Sequence, residues 1–191
     1  MKPIVNLLFE TGMLKKTPRS GFQFLGSGRE SVAEHILSTI FIAYTLCKLE
    51  KDVEELKVLR ICLMHDLPEA RTGDMNYVNK KYVTVNEEKA VRELTDSLFF
   101  GEEIKAAIME FNEMKTKESI IAHDADQLSL ILQLKEHGDL GNKYSSEWIE
   151  FARKRLVTES AKSMAETIIN TDSTEWWFND KGDWWINGNR K

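Results

Sequence analysis

Fifteen consecutive residues, Arg60-Ile61-Cys62-Leu63-Met64-His65-Asp66-Leu67-Pro68-Glu69-Ala70-Arg71-Thr72-Gly73-Asp74, put one imidazole and three carboxylates at the edge of an apolar run. Carboxylates gathered beside a core lose hydration and repel one another, and a bound divalent cation offsets both costs. The competing reading is a helix end with a capping histidine and a solvated acidic turn. Two other stretches weigh against it. Upstream stands Glu30-Ser31-Val32-Ala33-Glu34-His35, and downstream His123-Asp124-Ala125-Asp126. A His, a His-Asp pair and an Asp on separate helices supply two nitrogens and two oxygens, a donor set for a borderline metal such as Mn, Fe, Co, Ni or Zn.

In this pattern the chain resembles the HD-domain phosphohydrolases, whose metal ligands follow the order H…HD…D. The longer pattern Glu-Ser-Val-Ala-Glu-His…His-Asp-x-x-Glu-x-x-x-Gly-Asp…Ala-Asp resembles the 5′-deoxynucleotidase branch of that superfamily, over about residues 3–140. The resemblance implies an all-α HD-domain bundle holding one divalent transition metal ion on His35, His65, Asp66 and Asp126. It implies a phosphomonoesterase acting on nucleoside 5′-monophosphates, 2′-deoxy ones preferred, and a homodimer. The cation would act as a Lewis acid on the phosphate. Glu69 is the candidate to orient or deprotonate the attacking water, and Asp74 to assist it or protonate the leaving oxygen. The segment Arg19-Ser20-Gly21-Phe22 matches an Arg-x-Gly-aromatic pattern that contributes to nucleotide binding, so Arg19 is expected on the phosphate and Phe22 beside the sugar or base. Relatives commonly carry Trp where this chain has Phe22, and Lys where it has His123. The alternatives are an HD-domain hydrolase of another phosphate ester, or a metal- or nucleotide-binding regulator without turnover.

A net charge of −5 argues against binding a nucleic-acid polymer or an anionic membrane, both of which favour a basic face. It leaves a small anionic substrate open, because a metal and a few arginines set the local field. No segment approaches the ~20 apolar residues of a spanning helix, and Asn6 and Glu10 interrupt the apolar N-terminus, so a cytoplasmic protein is expected. Cys47 and Cys62 lie in apolar helical patterns and read as buried thiols rather than a disulfide framework.

The elements that must position these groups are helical, with no β-alternation of any length and no repeat. A first helix is expected over 3–14, then a Gly-, Ser- and base-rich loop to Arg29. Ser31-x-x-Glu34 is a capping box opening a second helix that carries His35 one turn in. Asp52-x-x-Glu55 opens a third, ending at His65-Asp66, after which Pro68 and Gly73 break the helix and turn Glu69 and Asp74 back. Thr84-x-x-Glu87 opens a fourth running to about Phe100, and a fifth covers roughly 102–114. The sixth, about 118–137, is the most apolar and belongs at the centre, with His137-Gly138 as its stop. On it the stripe Ile121, Ala125, Leu128 and Leu132 leaves Asp124 about 60° from its middle and Asp126 about 140°. Periodicity therefore favours Asp124 as the inward residue, and the resemblance favours Asp126. Two further helices are expected over 144–157 and 158–170. Residues 1–170 then form the domain, and 171–191, with Trp176, Trp177, Trp184 and Trp185 about an Asp180-Lys181-Gly182-Asp183 turn, an aromatic hairpin or tail packed on it or in a dimer interface.

Overall fold

The structure is a computed structural model that describes residues 1–179 and 182–188. Its regular elements are helices: α1 (Lys2–Thr11), α2 (Phe22–Leu25), α3 (Val32–Leu49), α4 (Glu55–Met64), α5 (Glu69–Thr72), α6 (Glu87–Thr95), α7 (Gly101–Glu113), α8 (Lys117–Asp139), α9 (Ser145–Arg153), α10 (Glu159–Asn170), α11 (Glu175–Phe178) and α12 (Trp184–Asn187). Among the described residues there is no strand, only one antiparallel bridge between Pro18 and Ser31.

The most apolar helix is the axis. α8 packs against α3, α4, α7, α9 and α10. It buries Ile121, Ala125, Leu128, Ile131 and Leu134 completely, in one cluster with Leu46, Ile61 and Cys62. A second cluster joins Val32, Ile36, Leu67, Leu94, Ile104 and Ile108. α3 has the length and composition of a membrane-spanning segment, mean hydropathy 1.3 over 18 residues, where the sequence reading expects none. In this fold it is a core helix whose hidden face includes His35 and Thr39.

Ser31 and Glu34 form the expected capping box on α3. Other boundaries shift, each for a local reason. Helix α1 ends at Thr11 and a 3₁₀ turn, Gly12–Lys15, completes the first segment. Asp52 caps nothing: it sits at φ 51°, and the start of α4 is met by Glu118, whose carboxylate accepts from the Glu54 N–H. Asn86, not Thr84, caps α6 by accepting from the Lys89 N–H, and α6 stops at Thr95. Helix α8 runs through Gly138 to Asp139, and the left-handed residue that follows is Gly141. In the aromatic tail the described residues form two short helices rather than a hairpin. Trp177, Phe178 and Trp185 meet at centroid distances of 5.0–5.7 Å. Asp180 and Lys181 of the expected turn lie outside the described residues.

Candidate metal centre and active site

Three helices deliver the ligand candidates to one point. His35 lies one turn into α3, His65 caps α4 with Asp66 after it, and Asp126 lies on α8. One side-chain atom each of His35, His65 and Asp126 falls within 4.8 Å of the others. His35 Nε2 is 2.9 Å from Asp126 Oδ1 and 3.6 Å from Asp66 Oδ2, and His65 Nε2 is 3.2 Å from Asp66 Oδ2. The outer nitrogens are anchored. His65 Nδ1 donates to the Cys62 carbonyl at 2.8 Å, which fixes that proton and turns Nε2 toward the cluster. His35 Nδ1 meets Ser129 Oγ at 3.1 Å, aiming its Nε2 the same way.

These residues fit a divalent cation. His65 Nε2, Asp66 Oδ2 and Glu69 Oε2 are buried and make no hydrogen bond, a condition that costs free energy unless something binds them. Two imidazole nitrogens and two carboxylates, each imidazole held from behind, are the donors and the support such an ion takes.

The competing aspartate has other work. Asp124 is fully buried, and its carboxylate accepts from the Val157 N–H at 2.8 Å, the Thr158 N–H at 2.8 Å and the Thr158 hydroxyl at 2.6 Å. Periodicity thus identifies a truly inward residue, but one that faces the start of α10 and not the histidines.

The phosphate-loop candidate is fastened at both ends. Arg19 N–H donates to the Glu30 carbonyl and Val32 N–H to that of Thr17. Gly28, at φ +83°, lets the loop lie on α8, since a Cβ there would stand 2.2 Å from His137 Nε2. Arg19 consequently points inward, Nη1 3.4 Å from Asp74 Oδ1 and 3.6 Å from Asp66 Oδ2. Ser20 adds to this tie: its N–H donates to Asp74 Oδ2 at 2.6 Å, and its hydroxyl reaches Asp74 O and Oδ2. Asp74 arrives by the turn at Gly73, φ 73°. Phe22 takes a different place. It is buried in the core, edge-on to the His137 ring at 5.4 Å, while Trp148 faces the backbone of Gly21.

The electrostatics divide the carboxylates. Burial works against the Arg19 charge, but Asp66, Asp126, Asp74 and Glu69 outweigh it and hold the guanidinium well above its usual pKa. Asp66, although buried, is held down to about 2 by His65, His35 and Arg19. Asp126 is lowered further despite its burial, by His35 and His65. The His65 imidazole overcomes burial and rises to about 9 beside Asp66, whereas burial and then Arg19 lower His35. Glu69 goes the other way, pushed up to about 9 by burial and by Asp66 and Asp74. Of the two acid–base candidates, Glu69 has the surroundings of a proton carrier. Asp74 is taken up by hydrogen bonds from Ser20 and Arg19.

Sequence reasoning gave no role to Glu30, Ser20, Gln127, Arg155 or Trp148, although Glu30 and Ser20 stand inside the motifs quoted above. Glu30 is buried with Oε1 unpartnered, and its Oε2 lies 4.0 Å from Arg19 Nε. His123 stacks on Phe111 at 3.9 Å, and its Nε2 meets the Phe111 carbonyl. Cys62 is buried and its thiol pKa is raised, while its carbonyl orients His65.

Comparison with known proteins identifies the family of the chain. The HD domain family matches residues 11–168. A protein of Dictyostelium discoideum named 5′-deoxynucleotidase HDDC2 is 30% identical over 138 residues, 66% of this chain and 73% of its own. A Schizosaccharomyces pombe protein named 5′-deoxynucleotidase hdd1 is 29% identical over 144 residues, 70% of this chain and 72% of its own. A conserved hypothetical protein of Pyrococcus furiosus has a solved structure that superposes with a TM-score of 0.74 at 27% identity, covering 87% of this chain and 99% of that one. This chain belongs to the HD-domain family and is a phosphohydrolase of that family, similar within it to the 5′-deoxynucleotidases.

Proposed function

We propose that this enzyme hydrolyses nucleoside 5′-monophosphates to nucleoside and phosphate, with 2′-deoxynucleotides preferred. The observation that carries the proposal is the meeting of His35, His65, Asp66 and Asp126 beside a half-buried arginine, Arg19. The names of the two relatives support the substrate class. A divalent transition metal held by those four residues supplies Lewis-acid polarisation of the phosphoryl group and acidifies water. Arg19 exchanges its contacts with Asp66 and Asp74 for two hydrogen bonds to phosphate oxygens. Glu69, in the carboxylate form that the cation's charge would favour, takes the proton of the attacking water as the water oxygen bonds to phosphorus and the phosphorus–O5′ bond breaks, and then gives that proton to the departing 5′-oxygen. Asp74 keeps Ser20 in register, leaving Glu69 as the mobile-proton site. Phe22, buried against His137, backs the loop from its core side.

The enzyme acts as a homodimer, and its Trp-rich extension packs on the domain or between subunits. The exposed rings of Trp176 and Trp184 support that placement, since such rings favour a partly apolar contact. The test of function is phosphate release from a panel of ribo- and deoxyribonucleoside monophosphates with Mn, Co, Fe, Ni and Zn. Turnover confined to nucleoside 5′-monophosphates supports the proposal, and release only from other phosphate esters overturns it.

A further inference from the structure

Asp126 is held from two sides. Its Oδ1 faces His35, and its Oδ2 accepts from Gln127 Nε2 at 2.7 Å. The same amide, through Oε1, accepts from Arg155 Nε at 2.5 Å. An amide is well suited to this place, because it donates to an anion while accepting from a cation. The Arg155 guanidinium lies 5.0 Å over the ring of Tyr77. Tyr77 follows Asn76, whose amide donates to Ser20 Oγ. The chain of contacts thus runs from the ligand cluster, across the linker between α9 and α10, to the loop that carries Asp74.

The linker reaches that point for a reason already described. Asp124 holds the N–H groups of Val157 and Thr158, the second and third residues after Arg155. A buried carboxylate on one face of α8 therefore places a guanidinium against an amide on another face.

We propose that Arg155 is a positioning residue of the metal centre, acting through Gln127 to set the orientation of Asp126. This rests on Asp126 being a ligand. The Arg155 Nε–H keeps the Gln127 amide from rotating, and the amide keeps Asp126 Oδ1 turned toward His35 Nε2. Partners behind a ligand typically alter metal affinity 10–100-fold when removed.

The experiment measures Mn²⁺ affinity of the full chain by calorimetry, without substrate, after chelator treatment. Arg155→Met is expected to weaken Mn²⁺ binding about 10–100-fold. Arg155→Lys should recover only part of it, because an ammonium has no planar Nε–H fork. Gln127→Leu should match Arg155→Met, and the double variant should lose little more, since the two act in series. Melting of the metal-free variants checks folding, and Gln127→Leu and Arg155→Lys keep the test alive if Arg155→Met does not fold. Unchanged Mn²⁺ affinity in folded Arg155→Met and Gln127→Leu overturns the proposal; a raised KM with unchanged affinity makes Arg155 a substrate contact instead. Asp126→Ala is run alongside. If it too leaves affinity unchanged, the ligand reading fails, a result distinguishable from failure of the relay alone.

Discussion

Asp124 and Asp126 stand two residues apart on α8 and hold different parts of the molecule together. The first accepts three hydrogen bonds from Val157 and Thr158, and the second lies 2.9 Å from His35 Nε2. Asp126→Ala should abolish metal binding at micromolar metal. Asp124→Ala should retain metal at saturating concentration but lose stability, on the order of 3 kcal/mol for buried N–H groups left unpaired. Metal analysis and denaturant melts separate the two, and the reverse pattern would exchange their roles.

Glu69→Gln should keep the metal and lose turnover by roughly 10²–10⁴-fold in kcat, the scale of general acid–base assistance. The substitution removes a proton-accepting oxygen while preserving size. Activity equal to wild type at saturating substrate would make Glu69 structural and return Asp74 to first candidate.

Glu30 gives the fold a pH dependence. Burial raises its pKa to about 7, only partly relieved by Arg19. The folded state then binds this proton more tightly than the unfolded chain, so stability falls as pH rises from the ordinary glutamate range to about 7. Glu30→Gln removes that loss. Relative to wild type, the metal-free variant should gain on the order of 3 kcal/mol at pH 8 and nothing near pH 4. Melting curves across that range decide it, and a constant difference at every pH would rule the carboxyl out as the cause.

Sugar selectivity should be real but loose. An apolar wall with no polar group to read a hydroxyl discriminates by about 10²-fold at best, and Phe22, expected to form that wall, is buried behind the loop instead. The ratio of kcat/KM for dAMP over AMP, and for dGMP over GMP, should exceed one in wild type, and Phe22→Trp, which overfills a core position, should lower stability rather than raise that ratio. Equal values in wild type would describe a general nucleotidase.

The helical class, the capping box at Ser31 and Glu34, and the donors His35, His65 and Asp66 are all legible in one dimension. Each rests on a local pattern: apolar period, a cap three residues from its partner, adjacent donor types. Gly73 is legible for the same reason, as a turn that delivers Asp74. Tertiary structure alone decides between Asp124 and Asp126, because both are inward on a helix surrounded on most sides, and periodicity reports burial without saying against what. It also decides that Asp74 is occupied by Ser20 and Arg19 while Glu69 Oε2 has no hydrogen bond among the described residues. Arg19 and Asp74 are 55 residues apart in sequence, and the bridge at Pro18 and Ser31 that aims the arginine has no periodic trace. Gln127, Arg155 and Glu30 are ordinary polar residues in the chain. Their surroundings come from loops and helix ends brought together by the burial of α8, and non-local packing of that kind leaves no spacing to read.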